Sequence, residues 1–184
     1  MKNKHKLSLS ALILMFAISS CDKKTSEPEI IETEITETVD TPTVEAETSA
    51  GIAGTYTFGD VEEKGPVGSV MVYPLNENSA LFYLYVGRGA PSYNSGRLFG
   101  EMKIEDNIGT YVDPDLNCLL KFEFNSNQLI VSYGGEQNDC GFGNGVYADN
   151  TYSHSDKSVP THFTTGEGEE IQFEGLTVEK YEQR

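Results

Sequence analysis

The sequence predicts an all-β fold: an antiparallel meander of about eight strands forming a small barrel or a sandwich. Three observations predict it. Past residue 50 the chain is rich in Gly, Tyr, Phe and Val, and its apolar residues alternate with polar ones at period two. Short alternating runs recur about every ten residues, separated by Gly, Asn, Asp and Pro, which is the spacing of a meander. Apolar positions at helical spacing are hard to find in this region.

The strands are read in order. GTYTF (54–58) opens the domain, and GSVMVY (68–73) follows, ended by Pro74. ALFYLYV (80–86) comes after the turn Asn76-Glu77-Asn78, then RLFGEMKI (97–104), and IGTYV (108–112) after Asp106-Asn107. CLLKFEF (118–124) and QLIVSY (128–133) flank Asn125-Ser126-Asn127, a hairpin-type break. GVYADNTY (145–152) follows, and residues 170–173 and 176–178 add a last short strand or an irregular C-terminal tail. Tyr83 and Tyr85 share one face of their strand and Phe82, Leu84 and Val86 the other. With both faces apolar or amphipathic, this reads as a central strand. A closed barrel would leave no exposed edge beside such aromatic strands.

The first fifty residues have another character. Lys2, Lys4 and Lys6 precede an apolar run, LSLSALILMFAI (7–18), and Ser19-Ser20 leads directly into Cys21. This is the layout of a secretory signal over residues 1–20. A run of about twelve apolar residues is short of the ~20 a membrane span needs. Ile18-Ser19-Ser20-Cys21 resembles the lipobox of bacterial lipoproteins. The resemblance implies cleavage before Cys21, thioether lipidation of its sulfur and acylation of the new amino terminus. It also implies a place in the cell envelope, anchored to a membrane through that lipid; two or more chains hold firmly where one holds only marginally.

The chain has three cysteines. Lipidation uses Cys21 and leaves Cys118 and Cys140 as a pair, expected to be oxidised to a disulfide outside the cytoplasm. Two cysteines without nearby histidines lack the tetrahedral set of a zinc site. Between Cys21 and the domain, residues 22–50 hold nine acids, two lysines, seven threonines and no aromatic residue. Low hydrophobicity with high net charge cannot offset ordering entropy, so this stretch reads as a disordered acidic tether. Residues 51–184 are then one domain of ordinary size.

Candidates for chemistry are few. His154 and His162 lie in YSHSDKSVPTHF among serines and Asp156, and read as a polar surface loop. There is no GxSxG elbow, and adjacency in sequence does not make a Ser-His-Asp triad. An enzyme would need both histidines and an acid to meet in a pocket. Asp113-Pro114-Asp115 and Glu136-Gln137-Asn138-Asp139 lack the spacing of a calcium loop and suit turns. The glycines of GFGNG (141–145) have no following helix to cradle a phosphate, and read as a tight turn or bulge. No catalytic residue, metal site or cofactor is therefore expected. The best site candidate is the loop 87–97, GRGAPSYNSGR, with Arg88, Tyr93 and Arg97, since loops on a rigid β scaffold often carry binding contacts.

Charge narrows the partners. The whole chain carries a formal −16, and without residues 1–20 ten Lys and Arg face 29 Asp and Glu, about −19. Nucleic acid is excluded on this ground, because that affinity comes from Lys and Arg at phosphates. A cationic partner would be attracted and steered. The domain looks like small exported β domains with a Cys-Gly-Phe-Gly turn and a Gly-Val-x-Ala strand, here Cys140–Gly143 and Gly145–Ala148. In architecture and compartment it is similar to periplasmic lysozyme inhibitors. The expectation is a non-catalytic binding module, with a barrel carrying a small apolar ligand as the alternative. That alternative expects a cavity lined by Tyr83, Phe122 and Val131.

Overall fold

The computed structural model describes residues 50–135 and 139–184. The signal segment, Cys21, residues 22–49 of the tether and Glu136-Gln137-Asn138 lie outside the described residues.

Eight antiparallel strands form a closed barrel in simple sequential order: β1 (Gly54–Phe58), β2 (Val67–Asn76), β3 (Ser79–Gly87), β4 (Ser95–Glu105), β5 (Ile108–Asp113), β6 (Cys118–Asn125), β7 (Gln128–Tyr133) and β8 (Asn150–Asp156). β8 pairs back to β1, with a register shift between Thr55 and Tyr56. The all-β, antiparallel expectation holds, and closure selects the barrel over the sandwich. Pro74 sits inside β2 rather than ending it, and the β2–β3 register shifts just beyond it, between Pro74 and Asn76. A missing N–H is tolerated where the ladder is already irregular.

Alternation puts Tyr56, Val70, Val72, Phe82, Leu84, Met102, Leu120, Phe122, Leu129 and Tyr152 inside, each with no measurable exposure. Eight strands enclose just enough room for side chains. Here the rings meet across the interior: Phe82 and Phe122 lie 4.9 Å apart between centroids, and Tyr56 and Phe124 6.0 Å. The two buried phenols repeat one device. Tyr56 Oη donates to the Ile52 carbonyl and Tyr152 Oη to the Ala148 carbonyl, each at 2.9 Å and four residues back. Each hydroxyl is satisfied by the chain entering its own strand, so neither is an orphan in the core.

Of the C-terminal residues, expected to add a last short strand or an irregular tail, Glu170–Gln172 are that strand, and they belong to a folded unit. β9 (His162–Thr164) and β10 (Glu170–Gln172) form a hairpin, and α1 (Val178–Glu182) follows it. Phe163, Ile171, Phe173 and Leu176 bury Leu81, Tyr83 and Phe99 on the outer wall of β3 and β4. Phe163 stacks on Tyr83 at 4.2 Å, and Phe173 on Tyr73 at 5.3 Å. β9 has three residues, too few for alternation to show. Residues 176–178 lead into a helix rather than a strand, with Thr177 accepting from the Lys180 N–H as its cap. The segment 145–152 is also displaced: regular pairing starts only at Asn150, and Val146 and Ala148 reach the core from irregular backbone.

Cys118 and Cys140 form a disulfide, joining the start of β6 to the connection between β7 and β8. It spans 22 residues of sequence. Reduction, or replacing both cysteines by alanine, should cost roughly 3 kcal/mol by loop-closure entropy, read as a lower unfolding midpoint in denaturant. A second outcome concerns pH. Burial pushes the Tyr56 and Tyr111 phenols up to about 12 from an ordinary 10.0, Asp113 adding to the rise at Tyr111, and burial also raises Tyr152. These groups bind protons more tightly folded than unfolded. Their contribution is intact below pH 10 and is lost as pH rises toward 12. Absorbance titration should show these tyrosines ionising late, together with loss of the barrel's circular dichroism signal.

Candidate functional site

The two ends of the barrel differ. At one end the chain enters through Ala50–Ile52 and two-residue turns join β2 to β3, β4 to β5 and β6 to β7. The β4–β5 turn has Asp106 and Asn107 at φ 50° and 63°, the geometry that suits a tight hairpin. At the other end lie the long connections: 59–66, 88–94, 114–117 and 134–149. This end, the crown, holds the candidate site.

Its connections brace one another. Ala90 N donates to Lys64 O at 2.8 Å, tying the β3–β4 loop to the β1–β2 loop. Asn94 Nδ2 donates to Asn144 O at 2.7 Å, and Gly143 N to Ser95 O at 3.2 Å, tying both to the segment after Cys140. Gly89 has φ +77°, and a side chain there would run into the backbone of Lys64 and Gly65. The acidic turns look after their own backbone. Asp113 Oδ1 accepts from the Asp115 and Leu116 amides, and Asp139 Oδ1 from the Gly141 amide.

On this platform Tyr93 is 63% exposed and Tyr147 is 67% exposed. Tyr93 adopts φ 53°. The left-handed region costs a residue with a Cβ about 1–2 kcal/mol. The cost is met locally, since Tyr93 N donates to Gly89 O at 2.8 Å. Two clefts flank Tyr147. One, of about 380 Å³, lies over the disulfide and is lined by Tyr133, Asp139, Cys140 and Phe142 besides Tyr147 and Asp149. The other, of about 390 Å³, is lined by Phe58, Pro66, Arg88 and Asn150 and shares Tyr147 and Asp149. Acids outnumber bases around the crown: Asp60, Glu62, Glu63, Asp115, Asp139 and Asp149 against Lys64 and Arg88.

Of the loop residues singled out from sequence, two belong to the crown and one does not. Arg88 lies across Gly145 in the second cleft, and Tyr93 stands at the loop tip. Arg97 is on the outer wall of β4, its guanidinium 5.0 Å above the ring of Tyr85, its partner in register on β3. The loop expected over 87–97 is four residues longer than the connection observed: Gly87 already pairs with Ser95, and alternation turns Arg97 outward. Beside it, burial pushes the Tyr83 phenol up and the Arg97 charge pulls it back, while Tyr83 Oη meets no partner in good hydrogen-bond geometry among the described residues. Sequence reading missed Tyr147 and Asp149 by assigning them to a strand. The signal was present: if Val146 and Ala148 face inward, Tyr147 must face out.

The histidines are apart in role. His154, expected in a surface loop, is in β8 at the barrel seam, where it stacks on Tyr56 at 4.1 Å with Nε2 3.1 Å from Ala53 O. His162 is in β9, 3.6 Å from Glu170 in β10. Tyr83 faces the outer wall while Phe122 and Val131 face the interior, so the three residues named for a ligand cavity lie on opposite sides of the sheet.

No known family, curated protein or solved structure matches the chain. Gly89→Ala should shift this end of the fold alone. The expected cost is about 1–3 kcal/mol, with faster amide exchange at Ala90, Tyr93 and Gly143 and unchanged exchange in β6 and β7.

Proposed function

We propose that this protein is a lipoprotein of the bacterial cell envelope, held to the membrane through Cys21, whose barrel is a non-catalytic module that binds a cationic protein on its crown. The observation that carries this reading is the pair of exposed tyrosines, Tyr93 and Tyr147, held on mutually braced backbone among acidic residues. Tyr presents a large, rigid, amphipathic surface and is enriched among residues that dominate interfaces. A braced platform gives up little entropy on binding. The surrounding acids would speed encounter with a basic partner and discourage acidic ones. Residues 50–52 enter the barrel at the turn end, opposite the crown.

The lipobox resemblance supports the anchor, and the disulfide suits an oxidising compartment. The barrel, its disulfide and the proposed compartment keep the likeness to periplasmic lysozyme inhibitors in view, and a basic lysozyme is therefore the first probe. A ligand-carrying barrel is the weaker reading, because Phe82, Phe122, Tyr56 and Phe124 occupy the interior with one another.

The test is calorimetric titration of the full chain with a basic lysozyme, a small basic protein without enzymatic activity, and a neutral protein of similar size. Saturable binding of at least one basic protein is expected, weakening at least tenfold from about 0.05 to 0.3 M salt. Tyr147→Ala should weaken it at least tenfold, about 1.4 kcal/mol. Equal binding of the neutral protein, or indifference to both salt and Tyr147→Ala, would overturn the reading.

A further inference from the structure

One wall of the barrel is only half closed. β4 and β5 pair over three positions, Lys103↔Thr110, Ile104↔Gly109 and Glu105↔Ile108, all at the turn end. Toward the crown the two strands part company. β5 continues with β6 as far as Asp113↔Cys118, and β4 continues with β3 as far as Ser95↔Gly87.

The direction of the unpaired groups follows from the register. Ile104 N donates to Asn78 O, and Arg88 N to Asn94 O, so even-numbered residues of β4 exchange their hydrogen bonds with β3. Odd-numbered residues therefore turn their N–H and C=O groups toward β5. Ser95 fits, since its carbonyl accepts from Gly143 N on that side. Arg97, Phe99 and Glu101 lie between that contact and the resumed ladder at Lys103. Their backbone groups face a strand that does not pair with them.

The opening has a floor and a rim. Gly96 and Gly100 face inward without side chains, and Phe142 and Tyr111 lie against those two positions. Leu98 is half-buried between them. Val112 and Leu116, 61% and 43% exposed, stand on the β5 side. The acids at the rim are Glu101, Asp113 and Asp115, while Arg97 is turned away over Tyr85.

We infer that this half-open edge of β4 takes an extended segment of the bound cationic protein as an added strand, next to the crown. This deepens the reading above and rests on it for the partner class. An alternating row of donors and acceptors in extended backbone is complementary to another extended chain and to little else. Such a segment would place alternate side chains on the floor of Leu98, Tyr111 and Phe142. The remaining side chains would face the acidic rim, which fits lysine or arginine. Gly143 already occupies the first hydrogen-bonding position, at Ser95, so the added strand is limited to the three positions that follow.

The probe is a capped octapeptide alternating lysine and valine, added to the full chain, with its backbone N-methylated analogue as control. In the free chain the amides of Arg97, Phe99 and Glu101 should exchange much faster than those of Leu98, Gly100 and Met102. The peptide should slow the three odd-numbered amides at least about tenfold, and the N-methylated analogue should not. Glu101→Pro removes an N–H on the open side only, leaves the β3 ladder intact, and should weaken peptide binding about tenfold more than Glu101→Gln, which removes the charge alone. Equal protection of odd and even amides in the free chain, or equal peptide affinity for Glu101→Pro and Glu101→Gln, would overturn the inference. Tyr147→Ala separates the two ideas. If it abolishes capture of the basic protein while Glu101→Pro leaves peptide binding alone, the crown stands and the edge falls. If neither the basic protein nor the peptide binds, both fall.

Discussion

The architecture turns on a strand that is buried on both faces. β3 sends Phe82, Leu84 and Val86 into the barrel and Leu81 and Tyr83 into a second cluster on the outer wall. Each large side chain so buried is worth about 1.5–3 kcal/mol, and one strand contributes to two cores. It is also the most extensively paired element, with nine register positions to β2 and nine to β4. The C-terminal hairpin and helix exist as structure because this wall needs covering. Between the hairpin and the wall the contacts are ring on ring, Phe163 with Tyr83 and Phe99, and Phe173 with Tyr73. Exposed, the same wall would be a large apolar patch.

Much of this is legible in the amino-acid sequence. Alternation located β1 to β7 to within a few residues, and it identified β3 as central because both of its faces are apolar. What alternation could not supply was what lies against the second face. Phe163 and Ile171 come from strands of three residues, where period two has no room to declare itself, and Phe173 directly follows the second of them. The same limit displaced β8. Val146 and Ala148 alternate as a strand would and are buried as a strand's residues would be, yet their backbone is irregular until Asn150. Burial pattern and hydrogen-bonded pairing are separate properties, and only the first is written in the side chains. Arg88 and Tyr93 stand out in the sequence because they lie in a long glycine-containing loop, and the structure places both at the crown. Arg97 closes the expected loop and also opens the expected strand 97–104, and only register, which the sequence does not display, settles that it belongs to the strand.

Crown and half-open wall share a physical origin in β4. Gly96 and Gly100 weaken that strand by leaving its inward face empty, and isolated glycines in a strand mark bulges or close approach. Here the approach is made by Phe142, from the segment clasped by the disulfide, and by Tyr111, from β5. These rings replace side chains that β4 lacks. Tyr111 also meets Phe82 edge-on at 5.2 Å, so the filling is continuous with the core. A side chain at either glycine would evict a ring and remove the reason for β4 and β5 to diverge.

The resulting fold is asymmetric along its axis, and its two ends are held together in different ways. Tight turns and continuous ladders occupy the end where the chain enters, and there every strand is held by its neighbours. Toward the crown, side-chain and backbone ties between loops take over from ladders, and one link is covalent. Such ties hold shape without burying the side chains that project beyond them. Tyr93 and Tyr147 can therefore be both ordered and exposed, a combination that a loop without braces would not sustain and a strand within the sheet would not offer. The proposed capture of a partner needs that combination at one end only, since the other end has merely to stay folded.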